Sequence, residues 1–295
     1  MRFWTGVTYL LLLVTTHAWA IDGFGDLYTN SRCERYIGAT PEELLHVKEL
    51  FVRALRADRL DDPDYKQRWL DLKFDWTPVT IGQGRWWVAH ERSATCRGQG
   101  FYAFNESPVS TSLLQVPHRF KDTGTGRIAR RWLRQKGMLA SAWNTVPRTT
   151  LDAAGFKADL AHRWDNYFIP LTQAYTEVYP AGRLVQLHGF SSHNRRTPKW
   201  RQASVIVSAG HSWPGKEARG LQACLQVHLK EQVLLFPYEV SELGATRNVE
   251  GRFMRSLGHN GFVHLEFSNG LRARLKKDHE AIDAIGQCLL QGDIE

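Results

Sequence analysis

Apolar and polar positions divide the chain into short apolar runs and longer amphipathic stretches. Pro41 to Arg59 carries an apolar stripe at helical spacing: Leu44, Leu45, Val47, Leu50, Phe51, Ala54 and Leu55. Thr40 can cap it, Pro41 takes the first position, and Glu42 and Glu43 sit near the positive end of the helix dipole. Asp61-Asp-Pro-Asp64 breaks the pattern, and Tyr65 to Phe74 reads as a second short helix. Arg85–His90 and Gly100–Phe104 read as strands, followed by a turn at Asn105-Glu-Ser-Pro108. Leu113–Val116 is a buried strand that ends at Pro117, which has no N–H to donate to a ladder. A helix is expected within Gly124–Gly137. Leu151 to Tyr179 reads as largely helical from Phe156, Leu160, Trp164, Phe168, Leu171, Ala174 and Tyr175. Arg183–Gly189, Ala203–Ser208, Val233–Phe236 and Phe262–Phe267 are further strands, and Leu221–Glu231 and Lys277–Leu290 further helices. Strands alternating with helices predict an α/β fold with a mixed, mostly parallel central sheet flanked by helices.

The first twenty residues read as a processing segment. Arg2 gives a basic start, Thr8 to Val14 a leucine-rich core, and Ala18-Trp-Ala20 the small residues of a cleavage site, so a secretory signal cut after Ala20 is expected. That core is too short to span a bilayer, and no later apolar run is long enough. The organisation expected is a signal peptide at 1–20, a helix-and-strand extension at 21–98 and an α/β catalytic domain at 99–295, in a secreted or periplasmic protein. Cys33, Cys96, Cys224 and Cys288 then face an oxidising compartment, which favours two disulfides. Three connectivities are possible. Cys33–Cys96 and Cys224–Cys288 keep each bridge within one half of the chain and are the expected pairs. None of the four lies in a C-x-x-C, so a thiolate zinc site is not expected.

The formal charge is +8, or +7 once Arg2 leaves with the signal. Such a surface suits anionic partners. No basic run interleaved with aromatics singles out nucleic acid, and none is expected.

The chemistry gathers at strand ends. His118 follows the Leu113 strand directly, Asp122 comes four residues later, His188 ends the Arg183 strand, and Glu266 interrupts the Phe262 strand. Functional groups in open α/β sheets collect at the carboxyl ends of strands. Three ligands from His, Asp or Glu plus an open position make a catalytic zinc site, and a nearby carboxylate can take a proton from the bound water. His118, Asp122 and His188 are the candidate ligands of one Zn²⁺ per chain, and Glu266 the candidate general base.

Val116-Pro-His118, Leu187-His-Gly189 and His264-Leu-Glu-Phe267, in the order His, acid, His, Glu, resemble the zinc-carboxypeptidase-like superfamily. The likeness is strongest to the branch of N-formylglutamate amidohydrolases and poly-γ-glutamate hydrolases, and it spans roughly Gly100 to Arg274. The resemblance implies metal ligation by His118, Asp122 and His188 and catalysis by Glu266. It implies hydrolysis of an amide bond in a carboxylate-bearing substrate: an anionic peptide, polyglutamate or a cell-wall peptide. In that group the acid is commonly Glu at a different spacing, and His193 is the nearest replacement for Asp122. Arginine and asparagine usually hold the anion there. Asn144-Thr-Val-Pro-Arg148 resembles that role, and Arg247, Asn248 and Arg252 are further candidates. Arginine suits a carboxylate because its planar fork donates two parallel hydrogen bonds.

Two other classes compete. Gly210-His-Ser212-Trp-Pro214 ends a strand much as a nucleophile elbow does, which would make Ser212 the nucleophile of a serine hydrolase. The elbow needs Gly-x-Ser-x-Gly, however, and proline replaces the second glycine. A non-catalytic exported module that binds an anionic polymer is the other alternative.

Overall fold

The computed structural model describes residues 23–135 and 137–290. The expected signal segment, residues 1–20, lies outside them. Among the described residues nine strands form a single sheet: β1 (Phe74–Ile81), β2 (Gly84–Glu91), β3 (Phe101–Asn105), β4 (Leu113–Val116), β5 (Ala140–Trp143), β6 (Leu184–Phe190), β7 (Val205–Ser208), β8 (Val233–Leu235) and β9 (Phe262–Ser268). Their spatial order is β1-β2-β3-β5-β4-β6-β9-β7-β8. On one face lie α2 (Pro41–Leu55), α3 (Pro63–Asp71), α5 (Phe168–Val178) and α8 (Val249–Ser256). The other carries α1 (Gly23–Thr29), α4 (Thr125–Leu133), α7 (Lys216–His228), α9 (Asn269–Arg274) and α10 (His279–Leu290). The single-turn α6 (Pro198–Arg201) brings Trp200 onto a small cluster around Ile206 and Leu234.

The sheet is mixed as expected but not mostly parallel: four neighbouring strand pairs run antiparallel and four parallel. The hairpin joining β1 to β2 closes Ile81 on Gly84, and a connection that short permits only antiparallel strands. The meander continues antiparallel from β2 to β3 and from β3 to β5, and β7 runs against β9. The parallel block is β5-β4-β6-β9, with β8 parallel to β7 at the edge. β1 and β2, from the segment expected as an extension, thus pair into the same sheet as β3.

A second expectation fails at Leu151–Tyr179. The helix there begins only at Phe168. Ahead of it, Leu151 bridges Lys157 in a tight loop, and a short 3₁₀ turn covers Leu160–His162. The Asp152 side chain accepts the N–H groups of Ala154 and Phe156, each at 2.9 Å, and Gly155 takes φ +83°. Side-chain capping of this kind competes with a helix, and glycine removes the cost of the left-handed residue.

Both expected disulfides are present. Cys33–Cys96 ties the N-terminal segment to the turn after β2, and Cys224–Cys288 ties α7 to α10. Among the described residues, no helix is long and apolar enough to cross a membrane.

Alternation along the parallel block sets up the site. Val185 and Leu187 of β6 and Val263, Leu265 and Phe267 of β9 enter the apolar layer on the α4 and α10 face. The intervening Gln186, His188, His264 and Glu266 therefore point to the opposite face. Leu265 is fully buried, so Leu265→Ala should lower unfolding stability by about 2–5 kcal/mol. Urea unfolding followed by far-UV circular dichroism checks this.

Candidate metal centre

The end of β4 and the turn after it deliver two groups to one point. Asp122 N–H donates to His118 O at 2.8 Å, which sets the two side chains one helical turn apart. The neighbouring strand β6 brings His188 beside them. His118 Nδ1 and His188 Nδ1 lie 3.1 Å apart, and Asp122 Oδ2 lies 3.7 and 3.6 Å from them. Gly189 N–H holds Asp122 Oδ2 in place at 3.0 Å.

The outer nitrogens of both rings are already committed. His118 Nε2 lies 2.7 Å from Asp159 Oδ1, and His188 Nε2 lies 3.0 Å from Gln186 Oε1. Both partners are acceptors, so both rings donate through Nε2–H and turn a bare Nδ1 lone pair inward. Three electron-rich atoms then converge on one buried point, an arrangement that needs a cation or a proton at its centre. An ion with bonds of about 2.0–2.2 Å in tetrahedral array keeps its ligands about 3.3–3.6 Å apart. The observed separations of 3.1, 3.6 and 3.7 Å bracket that spacing. A carboxylate or amide behind each ligating histidine is the usual outer support of such a site. The donor set therefore fits zinc.

Electrostatics point the same way. Burial works against charge on His118, but hydrogen bonds to Asp122 and Asp159 outweigh it and hold the imidazole above its usual range. Burial, with His118 beside it, pushes His188 down to about 4. Asp122 and Asp159 are both held well below the usual carboxylate range: burial opposes this, and hydrogen bonds from the histidines prevail. The cation-free centre thus favours one positive charge on His118.

Glu266, on β9 opposite His188, has a carboxylate oxygen within 4.8 Å of a ring nitrogen of His188. Burial and the Asp122 charge push its carboxyl up to about 8, and among the described residues Oε2 has no hydrogen-bond partner. His264 packs against His188 with ring centroids 4.4 Å apart and the planes tilted by 37°, and burial keeps it far below the usual imidazole range.

These groups open into a cleft of about 310 Å³ that is also lined by Arg148, His162 and Arg247. The cleft wall at Leu243–Thr246 holds Leu243 and Ala245 at φ +61° and +51°. A Cβ on the intervening Gly244 would stand 2.4 Å from the Phe236 ring. Left-handed non-glycine residues are strained and gather at functional sites.

His118, Asp122, His188 and Glu266 are brought together, and Arg148 and Arg247 reach the same cleft. Arg148 donates to Asp159 Oδ2, and its Nη1 lies 3.4 Å from His118 Nδ1. Asn144 is fully buried and serves the backbone: its Oδ1 accepts Arg119 N–H and its Nδ2 donates to Val146 O. Arg252 is exposed on α8 and does not line the cleft. His193 and Ser212 are exposed and stand outside the histidine cluster. Asp159, His162 and His264 were not anticipated. His264 is two residues from Glu266, a strand-periodicity signal, whereas Asp159 sits in the misread helical stretch 41 residues from His118.

No family model matches the chain, and no curated protein matches it significantly. Solved structures do. N-formylglutamate amidohydrolase from Ralstonia eutropha JMP134 is 13% identical, covering 66% of this chain and 96% of its own, at TM-score 0.46. A bacteriophage poly-γ-glutamate hydrolase is 11% identical over 61% and 82%, at TM-score 0.38. A metallo-carboxypeptidase from Burkholderia cenocepacia is 11% identical over 78% and 68%, also at 0.38. These neighbours are hydrolases by name.

The raised carboxyl of Glu266 has a consequence for stability. Its folded pKa of about 8 lies above the ordinary value near 4.3. The folded state therefore holds a proton that the unfolded chain has released, and stability is lost as pH rises towards 8. In chelator, wild type should lose urea midpoint between pH 5 and pH 9 more steeply than Glu266→Gln. Burial also pushes Glu250 up to about 7, so the readout is the difference between the two proteins. Equal slopes for the two proteins contradict the assignment.

Proposed function

We propose that this chain is an exported zinc-dependent hydrolase that cleaves a peptide or γ-glutamyl amide bond in a carboxylate-bearing substrate. The observation that carries the proposal is the convergence of His118 Nδ1, His188 Nδ1 and Asp122 Oδ2 on one buried point. Zinc bound there by these three residues would lower the pKa of its water and polarise the scissile carbonyl. The chain's own residues supply the rest. Asp159 and Gln186 hold the two rings with Nδ1 inward. Glu266 is the general base: its carboxyl, poised near neutrality when no cation is present, can take a proton from water and return it to the leaving amine. Arg247, with Arg148 beside Asp159, offers guanidinium forks for a substrate carboxylate at the cleft wall. Export is supported by the signal-like pattern of the first twenty residues in the sequence and by two disulfides, which persist in oxidising compartments.

The test is reconstitution. Protein refolded with zinc should carry one equivalent by elemental analysis, and chelation should abolish hydrolysis of N-acylglutamate and γ-glutamyl peptides. His118→Ala and His188→Ala should not retain the metal. Glu266→Gln should keep it and lose about 10²–10⁴-fold in kcat. Arg247→Ala should raise KM more than it lowers kcat. Absence of stoichiometric metal in reconstituted wild type overturns the proposal.

A further inference from the structure

A line of buried polar side chains runs behind His188, away from the cleft. Thr172 Oγ1 donates to the carbonyl of Phe168, one turn back in α5, at 2.8 Å. Gln115 Nε2 donates to Thr172 Oγ1 at 3.1 Å, Gln186 Nε2 to Gln115 Oε1 at 2.9 Å, and Gln186 Oε1 faces His188 Nε2 at 3.0 Å. Thr172, Gln115 and Gln186 are all fully buried, so water cannot substitute for a missing partner.

The direction of this line is forced from both ends. A hydroxyl has one hydrogen, and Thr172 spends it on a backbone carbonyl that can only accept. Gln115 must therefore turn its amino group to Thr172 and its oxygen to Gln186. From the other side, Asn248 is the N-cap of α8, and its Oδ1 accepts Gly251 N–H at 2.8 Å. Its amino group is left to donate to Gln186 Oε1 at 2.7 Å. Reversing the Gln186 amide would set donor against donor at Asn248 and acceptor against acceptor at Gln115. The oxygen consequently faces His188, and only the Nε2–H tautomer of His188 satisfies it. The bare Nδ1 then points at His118 and Asp122.

We infer that Thr172, Gln115, Gln186 and Asn248 form a positioning relay that fixes the tautomer and ring orientation of His188 as a metal ligand. The inference rests on the zinc reading for its purpose, but the tautomer itself is a property of the metal-free chain. The two ligating histidines are thereby backed differently, His118 by a carboxylate and His188 by a neutral amide.

The decisive variant is Thr172→Val, which keeps the shape of the side chain and removes its hydrogen bonds. Thr172→Ser, which restores the hydroxyl, is the control. Zinc affinity, measured by competition with a chromophoric chelator, should fall about tenfold in Thr172→Val and recover in Thr172→Ser. In metal-free protein, ¹H–¹⁵N long-range NMR spectra of the histidine rings should show His188 as the Nε2–H tautomer. Thr172→Val should show a mixture of tautomers. Asn248→Ser retains a capping hydroxyl but removes one of the two donors to Gln186. It should weaken zinc several-fold, and it serves as the test if Thr172→Val does not fold. Wild-type zinc affinity together with a wild-type His188 tautomer in the folded variant overturns the inference. Failure of wild-type protein to bind zinc overturns the proposed function instead, and the NMR measurement still decides the relay.

Discussion

Two imidazole nitrogens face one another across 3.1 Å, with room between them for one proton or one cation. In water such a contact would dissolve at once. Here it persists because each ring is held from behind, His118 by Asp159 and His188 by Gln186, and because Asp122 is pinned by the Gly189 amide. The surrounding architecture serves that contact. The parallel block of the sheet brings β4 and β6 side by side, α5 supplies the carbonyl from which the Gln186 amide takes its direction, and the N-cap of α8 confirms it. A proton on His118, or a cation bound in its place, would relieve the repulsion between the lone pairs, and the dry setting would magnify the attraction.

Much of the framework was legible in the sequence because apolar runs ending in Pro117 or at Gly189 could hardly be anything but buried strands. β5 escaped notice: Ala140-Ser-Ala-Trp143 lacks the β-branched residues that mark a strand, and its place comes from pairing on both sides. The mostly parallel expectation overlooked the β1–β2 hairpin, whose turn is only Gly82-Gln83. The region around Leu151–Trp164 imitated a helix in the spacing of its large side chains, yet Asp152 and Gly155 shape a loop there. That loop carries Asp159. An error of secondary structure thus hid the residue that backs His118.

The site itself was half legible. His118, His188 and Glu266 announce themselves as polar interruptions at the ends of apolar runs. Their supporting residues do not. Gln115 and Gln186 look like unremarkable polar positions in strands, and Thr172 like a helical surface residue, until the fold places all three in the interior. Asn144 shows the reverse case: a residue type suited to holding an anion, fully occupied by main-chain partners. Spacing along a chain identifies which groups could react, but whether a side chain has a lone pair to spare depends on neighbours that arrive from other elements.

Alternation along β6 and β9 has a further consequence, for folding. Leu184 to His188 pair in parallel register with Phe262 to Glu266, so Gln186 lies beside His264 and His188 beside Glu266. A slip of one residue would drive these four polar groups into the aliphatic layer beneath α4 and α10, and bring leucine and valine up into their place. Gln186 and His188 would then lose their hydrogen-bond partners without regaining water, and His264 and Glu266 would lose their opening to the cleft. The residues that would do the chemistry therefore also police the alignment of the two central strands: a misaligned sheet is penalised by the same side chains that make an aligned one useful.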